Sequence, residues 1–324
     1  MAELVNEFAF SWSRQKIFYE CPRKLYWQYY GSWKGWDGEA PAHARLAYRL
    51  KQIKNLAMLV GETFHEELAE ILRRRSPRAC GVPTEQLKGD MERRLLRRLR
   101  ESRDADWERY GDPKHKTILF EDYYGRGVTG DMTDQALAAL HRCVDGLQTE
   151  AYARRVFAAP LEALRFIDPK LDNIDDSRVS LDGLTLYASP DLVVAGKSGG
   201  LHILDWKTGT PRVEDVNAAQ LAIYGLFVQR KFGTPLDQMT AHLIYVAAGE
   251  RRAQNVLDGE PEAKRIIATY VTDVQSRLTD VAANVAGDIE AFPMTTNVRL
   301  CRGCNFRELC DRLEEPAEAS SADD

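Results

Sequence analysis

Residues 189–209 predict a β-hairpin whose strand ends carry opposite charges. Asp191 precedes an apolar run, residues 196–200 are a glycine-rich turn, and a second apolar run leads to Asp205 and Lys207. Because alternate side chains share one face of a strand, Asp205 and Lys207 project to the same side, and the hairpin brings Asp191 beside them. Adjacent carboxylates repel unless a cation joins them, and hard divalent ions such as Mg²⁺ prefer oxygen ligands. The hairpin therefore predicts an ion site in which Lys207 can orient water or stabilise charge on a phosphate.

The composition indicates a chain that can bury a sizeable core. With 324 residues and 44% hydrophobic content, it can form one large domain or one domain with helical insertions. Its net charge of −5 argues against a protein that coats nucleic acid by bulk attraction, although local patches can still bind phosphate. No apolar run reaches about eighteen residues and no signal-like segment opens the sequence. We therefore expect no membrane span and a cytoplasmic location.

Hydrophobic periodicity predicts elements on both sides of the hairpin. Helical spacing of apolar residues covers four segments, at residues 58–72, 132–157, 213–232 and 261–292. Strand-like segments cover residues 161–167 and 240–247, and Glu162 in the first is a candidate for a further acid near the site. Ser13 is a candidate N-cap for a first helix. The aromatic residues between positions 11 and 30 favour core packing over base stacking, which single-strand binders use.

His65 lies beside the apolar stripe of the predicted helix at residues 58–72. Gly61 precedes it by one turn and has no side chain, which leaves space for a metal ion or a nucleic-acid strand. A lone histidine on such a helix is more often packed or exposed to solvent than a ligand. The helix pattern alone therefore favours the structural interpretation of His65.

A basic segment opposes the overall sign of the chain. Residues 73–103 contain eleven Lys or Arg against four Asp or Glu, a local charge of +7. Leu95, Leu96 and Leu99 are expected to pack inward, which leaves a cationic face on the helix. The candidates for nucleic-acid contact on that face are Arg93, Arg94, Arg97 and Arg98. Charged helix faces are usually only solvated, but the local asymmetry favours a contact to the phosphate backbone.

Four of the six cysteines lie near the two ends of the chain: Cys21, Cys301, Cys304 and Cys310. The last three have the spacing Cys-x₂-Cys-x₅-Cys, which can ligate one metal centre, and Cys21 is the natural fourth ligand. Such a site would join the two ends of the chain and make metal binding part of folding. Zinc is the generic interpretation of four cysteines. Cys143 is expected to pack within a helix, and Cys80 lies in a predicted loop without an assigned role.

Five motifs together resemble the PD-(D/E)XK nucleases, specifically the RecB-like branch. They occur in the family's order: Gly61 to His65, Pro190-Asp191, Asp205-Trp206-Lys207, Gln220-x₃-Tyr224 and the four cysteines. The arrangement of one cysteine near the start and three near the end is similar to that of the iron–sulfur nucleases related to AddB and of the CRISPR-associated RecB-like exonucleases. No single motif decides the resemblance, whereas their joint occurrence is specific. The basic segment is less clearly matched and rests on charge alone.

The resemblance implies a role for each motif residue. The implied ligands of one or two Mg²⁺ or Mn²⁺ ions are His65, Asp191, Asp205 and the backbone carbonyl of Trp206. The implied catalytic residues are Asp191, Asp205, Lys207, Gln220 and Tyr224. The implied cofactor held by Cys21, Cys301, Cys304 and Cys310 is a [4Fe–4S] cluster rather than zinc.

The fold implied by the resemblance is α/β, with a mixed central sheet flanked by helices in a restriction-endonuclease-like core. Residues 1–30 and the cysteine segment 293–310 are expected to form an iron–sulfur subdomain from both termini. Residues 31–157 are expected to be helical and to carry the basic segment. Residues 158–292 would be the nuclease core, to which a helix at residues 55–75 contributes His65. The acidic tail at residues 311–324 is expected to be disordered.

The function implied is that of a metal-dependent deoxyribonuclease. It would act as an exonuclease on single-stranded ends in recombination, repair or CRISPR adaptation. The alternative is a non-catalytic iron–sulfur protein that binds nucleic acid or docks a partner, which a missing motif acid or lysine would favour. Since the chain contains no Gly-x₄-Gly-Lys-Ser/Thr phosphate loop, a separate helicase or a CRISPR adaptation protein is an expected partner.

Overall fold

The computed structural model describes residues 4–74, 81–105, 113–169, 175–196, 199–211 and 218–310. Several predictions concern residues outside these ranges. They are the acidic tail, the loop residue Cys80, residues 197–198 of the hairpin turn and residues 213–217 of a predicted helix. No helix within the described ranges is long and apolar enough to cross a membrane.

Helices and strands are numbered here in chain order. The helices are α1 Trp12–Glu20, α2 Pro22–Tyr26, α3 Ala42–Leu50, α4 Leu56–Arg74, α5 Thr84–Arg103, α6 Phe120–Tyr123, α7 Gly130–Thr149, α8 Ala151–Ala158, α9 Ala218–Phe232, α10 Glu260–Gln275 and α11 Arg299–Arg302. The strands are β1 Ala9–Phe10, β2 Ile53–Lys54, β3 Ile118–Leu119, β4 Leu164–Ile167, β5 Arg178–Leu181, β6 Leu184–Tyr187, β7 Leu192–Ala195, β8 Leu201–Lys207, β9 Met239–Tyr245, β10 Glu250–Asn255, β11 Leu278–Asp280 and β12 Val285–Ala286. The mixture of helices and mixed sheets confirms the α/β class.

A five-stranded sheet with the order β10-β9-β8-β7-β4 forms the centre of the fold. Its neighbouring strands are antiparallel except for β8 and β9, which are parallel and are joined through α9. The predicted hairpin is β7 and β8, paired with Leu192 opposite Leu204. Extending that register by one residue sets Asp191 opposite Asp205. Strand pairing therefore brings the two acids to the same end of the sheet.

Helices cover both faces of this sheet, so its strands are apolar on both sides. Val193 and Ile203 pack in one core with α9 and α10. Leu192 and Leu204, one residue along on each strand, pack in a second core with α4, α5 and α7. Because side chains alternate, Asp205 follows Ile203 onto the face covered by α9.

The two ends of the chain meet in a third core. Trp27 follows α2 in a π-helical turn and packs in this core with Phe306. The buried Arg23 donates from Nε to the carbonyl of Phe292 at 2.7 Å, and its backbone N–H donates to the carbonyl of Pro293 at 3.2 Å. Packing and hydrogen bonds thus hold the amino-terminal helices against the segment that leads to the last three cysteines.

The helix predicted over residues 261–292 is wrong in its second half. α10 ends at Gln275, and β11 and β12 follow as a short hairpin whose turn contains Asn284 at φ 52°. The Asn284 side chain donates to the carbonyl of Asn6 at 2.9 Å and accepts from the Tyr30 hydroxyl at 3.0 Å. These contacts to the distant amino-terminal part of the chain stabilise the hairpin. The spacing of apolar residues along the sequence cannot predict them, because it reflects only local structure.

Two helix boundaries also differ from the prediction. The long pattern at residues 132–157 is two helices, because the carboxylate of Glu150 accepts from the backbone N–H of Ala153 at 2.6 Å and caps α8. The N-cap of α1 is Ser11 rather than Ser13, since Ser11 Oγ accepts from the backbone N–H of Arg14 at 3.1 Å. The hairpin of β5 and β6 was not predicted at all, although Asp-Gly at positions 182–183, both at positive φ, is a typical hairpin turn.

The approach of α7 to the end of β9 requires a glycine. A Cβ on Gly146 would lie 1.6 Å from the carbonyl oxygen of Val246, a backbone atom that cannot rotate away. We expect Gly146→Ala to lower the free energy of unfolding by about 1–3 kcal/mol, because the helix must move off the sheet. The measurement is urea denaturation followed by circular dichroism. Gly130→Ala on the same helix meets no atom within 4 Å and is the matched control; equal stability of the two variants would contradict the packing argument.

Candidate active site

The ends of β7 and β8 bring three charged side chains together. Lys207 Nζ lies 2.6 Å from Asp205 Oδ2, as the alternation along one strand predicted. The backbone N–H of Trp206 donates to Asp191 Oδ2 at 2.6 Å, which fixes the Asp191 carboxylate against β8. Asp205 is buried, with 6% of its surface exposed. The two carboxylates therefore face each other where water screens their repulsion poorly.

His65 reaches this strand end from α4. Its Nδ1 and Asp191 Oδ1 are 2.6 Å apart. Phe64 on the same helix packs in the core beneath the sheet, which orients the flank that carries His65. A Cβ on Gly61 would lie 3.6 Å from Thr208 Oγ1, so α4 passes close to the end of β8 and the predicted space beside Gly61 faces Thr208.

Burial and neighbouring charges shift the pKa values of Asp205, His65 and Lys207. Burial raises the pKa of Asp205 to about 6, and the charge of Asp191 adds to the rise. Burial lowers the pKa of His65, but the Asp191 carboxylate more than offsets this and raises it to about 9. The pKa of Lys207 is also raised, because attraction by Asp205 outweighs burial. At neutral pH His65 and Lys207 are therefore cations that neutralise the paired carboxylates.

α9 supplies the two polar residues that the sequence predicted one turn apart. Gln220 Nε2 donates to Tyr224 Oη at 3.4 Å. Burial raises the pKa of Tyr224 well above its usual value, and the charges of Asp205 and Asp191 add to the rise. The Tyr224 hydroxyl thus lies within electrostatic reach of both carboxylates and keeps its proton at neutral pH.

The further acid at the site is Asp168 rather than Glu162. The predicted strand is shorter than expected, because residues 161–163 form a 3₁₀ turn that leaves Glu162 exposed. Asp168 follows β4, and its backbone N–H donates to the carbonyl of Asp191 at 2.9 Å. Its carboxylate accepts a hydrogen bond from Ser189. Burial raises the pKa of Asp168 to about 6, opposed by the Ser189 hydrogen bond and reinforced by the charge of Asp191. The position of Asp168 directly after the predicted strand at residues 161–167 is the sequence signal that could have identified it as a site residue.

Comparison with protein-family models identifies the family to which this site belongs. Residues 9–311 match the model of the PD-(D/E)XK nuclease superfamily. The chain belongs to this superfamily. Its mixed sheet and flanking helices are consistent with a restriction-endonuclease-like fold, and membership implies a nucleic-acid substrate. No curated protein matches the chain.

PD-(D/E)XK nucleases use divalent metal ions, and the chemistry of these side chains fits such an ion. In the described part of the chain no group of three or more His, Cys, Asp or Glu stands in metal-ligating geometry. The oxygens of Asp191 instead pair with His65 and with the Trp206 backbone, and Asp205 pairs with Lys207. The buried Asp205 carboxylate and the half-buried Asp191 carboxylate beside an imidazole are nevertheless ligands of the right type. Replacing the proton on His65 by an ion would relieve the same repulsion.

The four terminal cysteines line one cavity, called here the cysteine cavity. It is partly open to solvent. The residues that line it are Cys21, Lys24, Trp27, Met294, Cys301, Cys304, Phe306, Arg307 and Cys310. Four thiols that line one cavity can ligate either a single zinc ion or an iron–sulfur cluster. The cavity therefore brings the four cysteines together as candidate ligands of one metal centre.

Two buried donors in the cysteine cavity also fit a sulfur-rich anionic group. Arg307 Nε is buried and has no hydrogen-bond partner in the described part of the chain, and the buried Trp27 indole N–H lies within hydrogen-bonding reach of the Cys310 thiol. Lys24 and Arg307 add positive charge to the lining, which offsets the charge of four thiolates. Burial raises the pKa of the Cys310 thiol to about 11, so ligation there would displace a proton.

Acidic residues of α4 pair with two of the four arginines on the predicted cationic face of α5. Arg94 forms ion pairs with Glu66, at 2.8 Å, and with Glu67, and Arg98 pairs with Glu66 at 3.0 Å. Arg93 pairs with Asp90 on its own helix. These three arginines are therefore tied within the protein rather than presented as unpaired cations, and Arg97 is exposed. Leu96, expected to pack inward, is 39% exposed because the turn that packs on α4 and α7 uses Leu95 and Leu99 instead.

The raised pKa of Asp205 predicts how stability depends on pH in metal-free protein. From pH 4 to pH 6 the folded protein keeps a proton that the unfolded chain loses, so the contribution of this group to stability declines as pH rises through 6. Asp205→Asn removes that decline. The free energy of unfolding of the variant relative to wild type should therefore rise by about 2–3 kcal/mol between pH 4 and pH 7. Urea titrations in EDTA measure it, and parallel pH profiles for the two proteins would contradict the prediction.

Proposed function

We propose that this chain is a divalent-metal-dependent deoxyribonuclease that hydrolyses phosphodiester bonds. The observation that carries the proposal is the pairing of Asp191 and Asp205 across neighbouring strand ends, with Lys207 at 2.6 Å from the second acid. This is the arrangement that gives the superfamily its name. We further propose that it acts as an exonuclease on single-stranded ends in recombination, repair or CRISPR adaptation, with a helicase or an adaptation protein as partner.

The ion would be held by His65, Asp191, Asp205 and the carbonyl of Trp206. A bound Mg²⁺ or Mn²⁺ supplies an acidified water and takes up charge at the phosphate. His65 must give up the proton that it carries beside Asp191, so metal binding is coupled to proton release. The two carboxylates keep their positions through strand pairing and the Trp206 backbone hydrogen bond.

Lys207 and the α9 residues Gln220 and Tyr224 would act on the substrate. Lys207 remains charged and is held by Asp205, which places an ammonium where negative charge develops on the phosphate. Tyr224 accepts a hydrogen bond from Gln220, which leaves its own hydroxyl proton available for donation to a phosphate oxygen. Both donors are positioned before substrate arrives, so little reorganisation is needed.

We assign the chain to the RecB-like iron–sulfur nucleases within the superfamily. The support is the cysteine cavity, in which Cys21 joins the three carboxy-terminal cysteines, and the presence of Trp27 and Arg307, each with a buried N–H donor, among the residues that line it. The proposed subdomain includes α2 and the segment at residues 293–310, which are already joined through Arg23. A [4Fe–4S] cluster there would add metal–thiolate bonds to the packing and hydrogen bonds that already connect the two terminal segments.

The proposed activity is tested by comparing wild type with Asp205→Ala on end-labelled single-stranded DNA in Mg²⁺ or Mn²⁺. Loss of one anionic ligand removes both the activated water and charge stabilisation, so cleavage should fall about a thousandfold or more. Lys207→Ala should be similarly impaired while still binding metal. Equal degradation by wild type and Asp205→Ala would assign the activity to another site or a contaminant, and degradation by neither would favour a non-catalytic binding protein.

The proposed cluster is tested by anaerobic purification with iron and sulfide analysis. We expect brown wild-type protein, and colourless, poorly folded Cys304→Ala, because the ligated metal stabilises only the folded state. Cys143→Ala is the control, since Cys143 is buried in α7 outside the cysteine cavity and should leave the iron content unchanged. Colourless wild-type protein with stoichiometric zinc would exclude the cluster.

A further inference from the structure

The arginine on α4 that lies beyond His65 has a different environment from the paired arginines of α5. Arg73 Nη2 is buried and has no hydrogen-bond partner among the described residues. Its neighbour Arg74 is 76% exposed at the side chain and pairs with Glu70. A buried guanidinium nitrogen without a partner is costly, because the group has lost water and gained no acceptor. Arg73 therefore keeps a donor without an acceptor, whereas Arg94 is paired with Glu66 and Glu67.

The helix geometry directs Arg73 towards the active site. It lies eight residues after His65, which is about 12 Å along α4 and about 80° around it. Side chains tilt back towards the amino end of a helix, so the long Arg73 side chain extends towards His65. α4 packs against β4 in the second core, and Asp168 directly follows β4.

Asp168 lies near Arg73 but does not form an ion pair with it in the described residues. The charge of Arg73 is felt at Asp168, but the Asp168 carboxylate accepts from Ser189, and no ion pair joins Asp168 to Arg73 in the described residues. An arginine beside a carboxylate ordinarily forms a bidentate pair. Here the guanidinium stands at the edge of the carboxylate site with a free donor.

We propose that Arg73 binds a phosphate of the nucleic-acid strand at this site. Its planar guanidinium matches phosphate geometry, and a cation is needed there because the neighbouring acids Asp168, Asp191 and Asp205 repel a polyanion. Arg73 thereby offsets the repulsion beside Asp168, the acid at which its charge acts. This inference rests on the proposed function and names a substrate contact for the same site. Arg73 is a binding residue, with no part in proton transfer.

The test is equilibrium binding of a fluorescent single-stranded DNA oligonucleotide, with Ca²⁺ replacing Mg²⁺ to suppress cleavage. Arg73→Gln should weaken binding by about tenfold, since one charge-assisted contact is lost. The slope of log affinity against log salt should fall in magnitude by about 0.7, which corresponds to one phosphate contact on a single strand. Arg73→Lys should recover part of the affinity and the salt slope. Arg74→Gln, the matched control, should bind as wild type.

Kinetics in Mg²⁺ separate this role from a structural one. Loss of a contact made equally to substrate and transition state raises KM and leaves kcat unchanged. A fall in kcat together with a lower melting temperature would assign Arg73 to folding and overturn the inference. So would an affinity and a salt slope for Arg73→Gln that equal those of Arg74→Gln. If wild type binds DNA in an Arg73-dependent way but does not cleave it, the proposed catalysis fails while the binding inference stands.

Discussion

The repulsion between Asp191 and Asp205 is the constraint on which the rest of the site depends. Strand register sets the two acids opposite each other, and burial removes the water that would screen them. The surrounding elements offset this repulsion with His65 from α4, Lys207 from β8 and the backbone N–H of Trp206. The folded protein thus holds two adjacent carboxylates that a divalent ion can join once it replaces the proton on His65.

The helices around the sheet serve this arrangement in distinct ways. α9 packs on the face that carries Asp205 and adds Gln220 and Tyr224. α4 packs on the opposite face and extends past the strand end, so one helix delivers His65 and Arg73 to the site. Arg94 and Arg98 of α5 pair with glutamates of α4 and hold that helix in place. The local excess of basic residues therefore has a structural use that the net charge does not reveal.

The ends of the chain form a unit separate from this chemistry. Arg23 connects α2 to the segment around Phe292, and Trp27 packs with Phe306 in the same region. The cysteine cavity lies within this packing, and burial raises the pKa of the Cys304 and Cys310 thiols, which keep their protons without a metal. We propose that a group bound there would act on stability and on the joining of the termini, and that the carboxylates of the separate active site act on the substrate.

The sequence by itself determined the local geometry of the site. Alternation along β8 placed Asp205 and Lys207 on one face, and the hairpin brought Asp191 alongside, because strand geometry has a fixed period of two. It did not determine which charges are neutralised. Arg73 and Arg94 are the same type of residue in the same basic segment. Arg94 nevertheless pairs with Glu66 and Glu67 of α4, whereas Arg73 keeps a buried donor without a partner. The addition of Asp168 and the replacement of a long helix by the hairpin of β11 and β12 likewise depended on contacts between distant segments. Such contacts form only when the chain packs, so tertiary structure alone decided them.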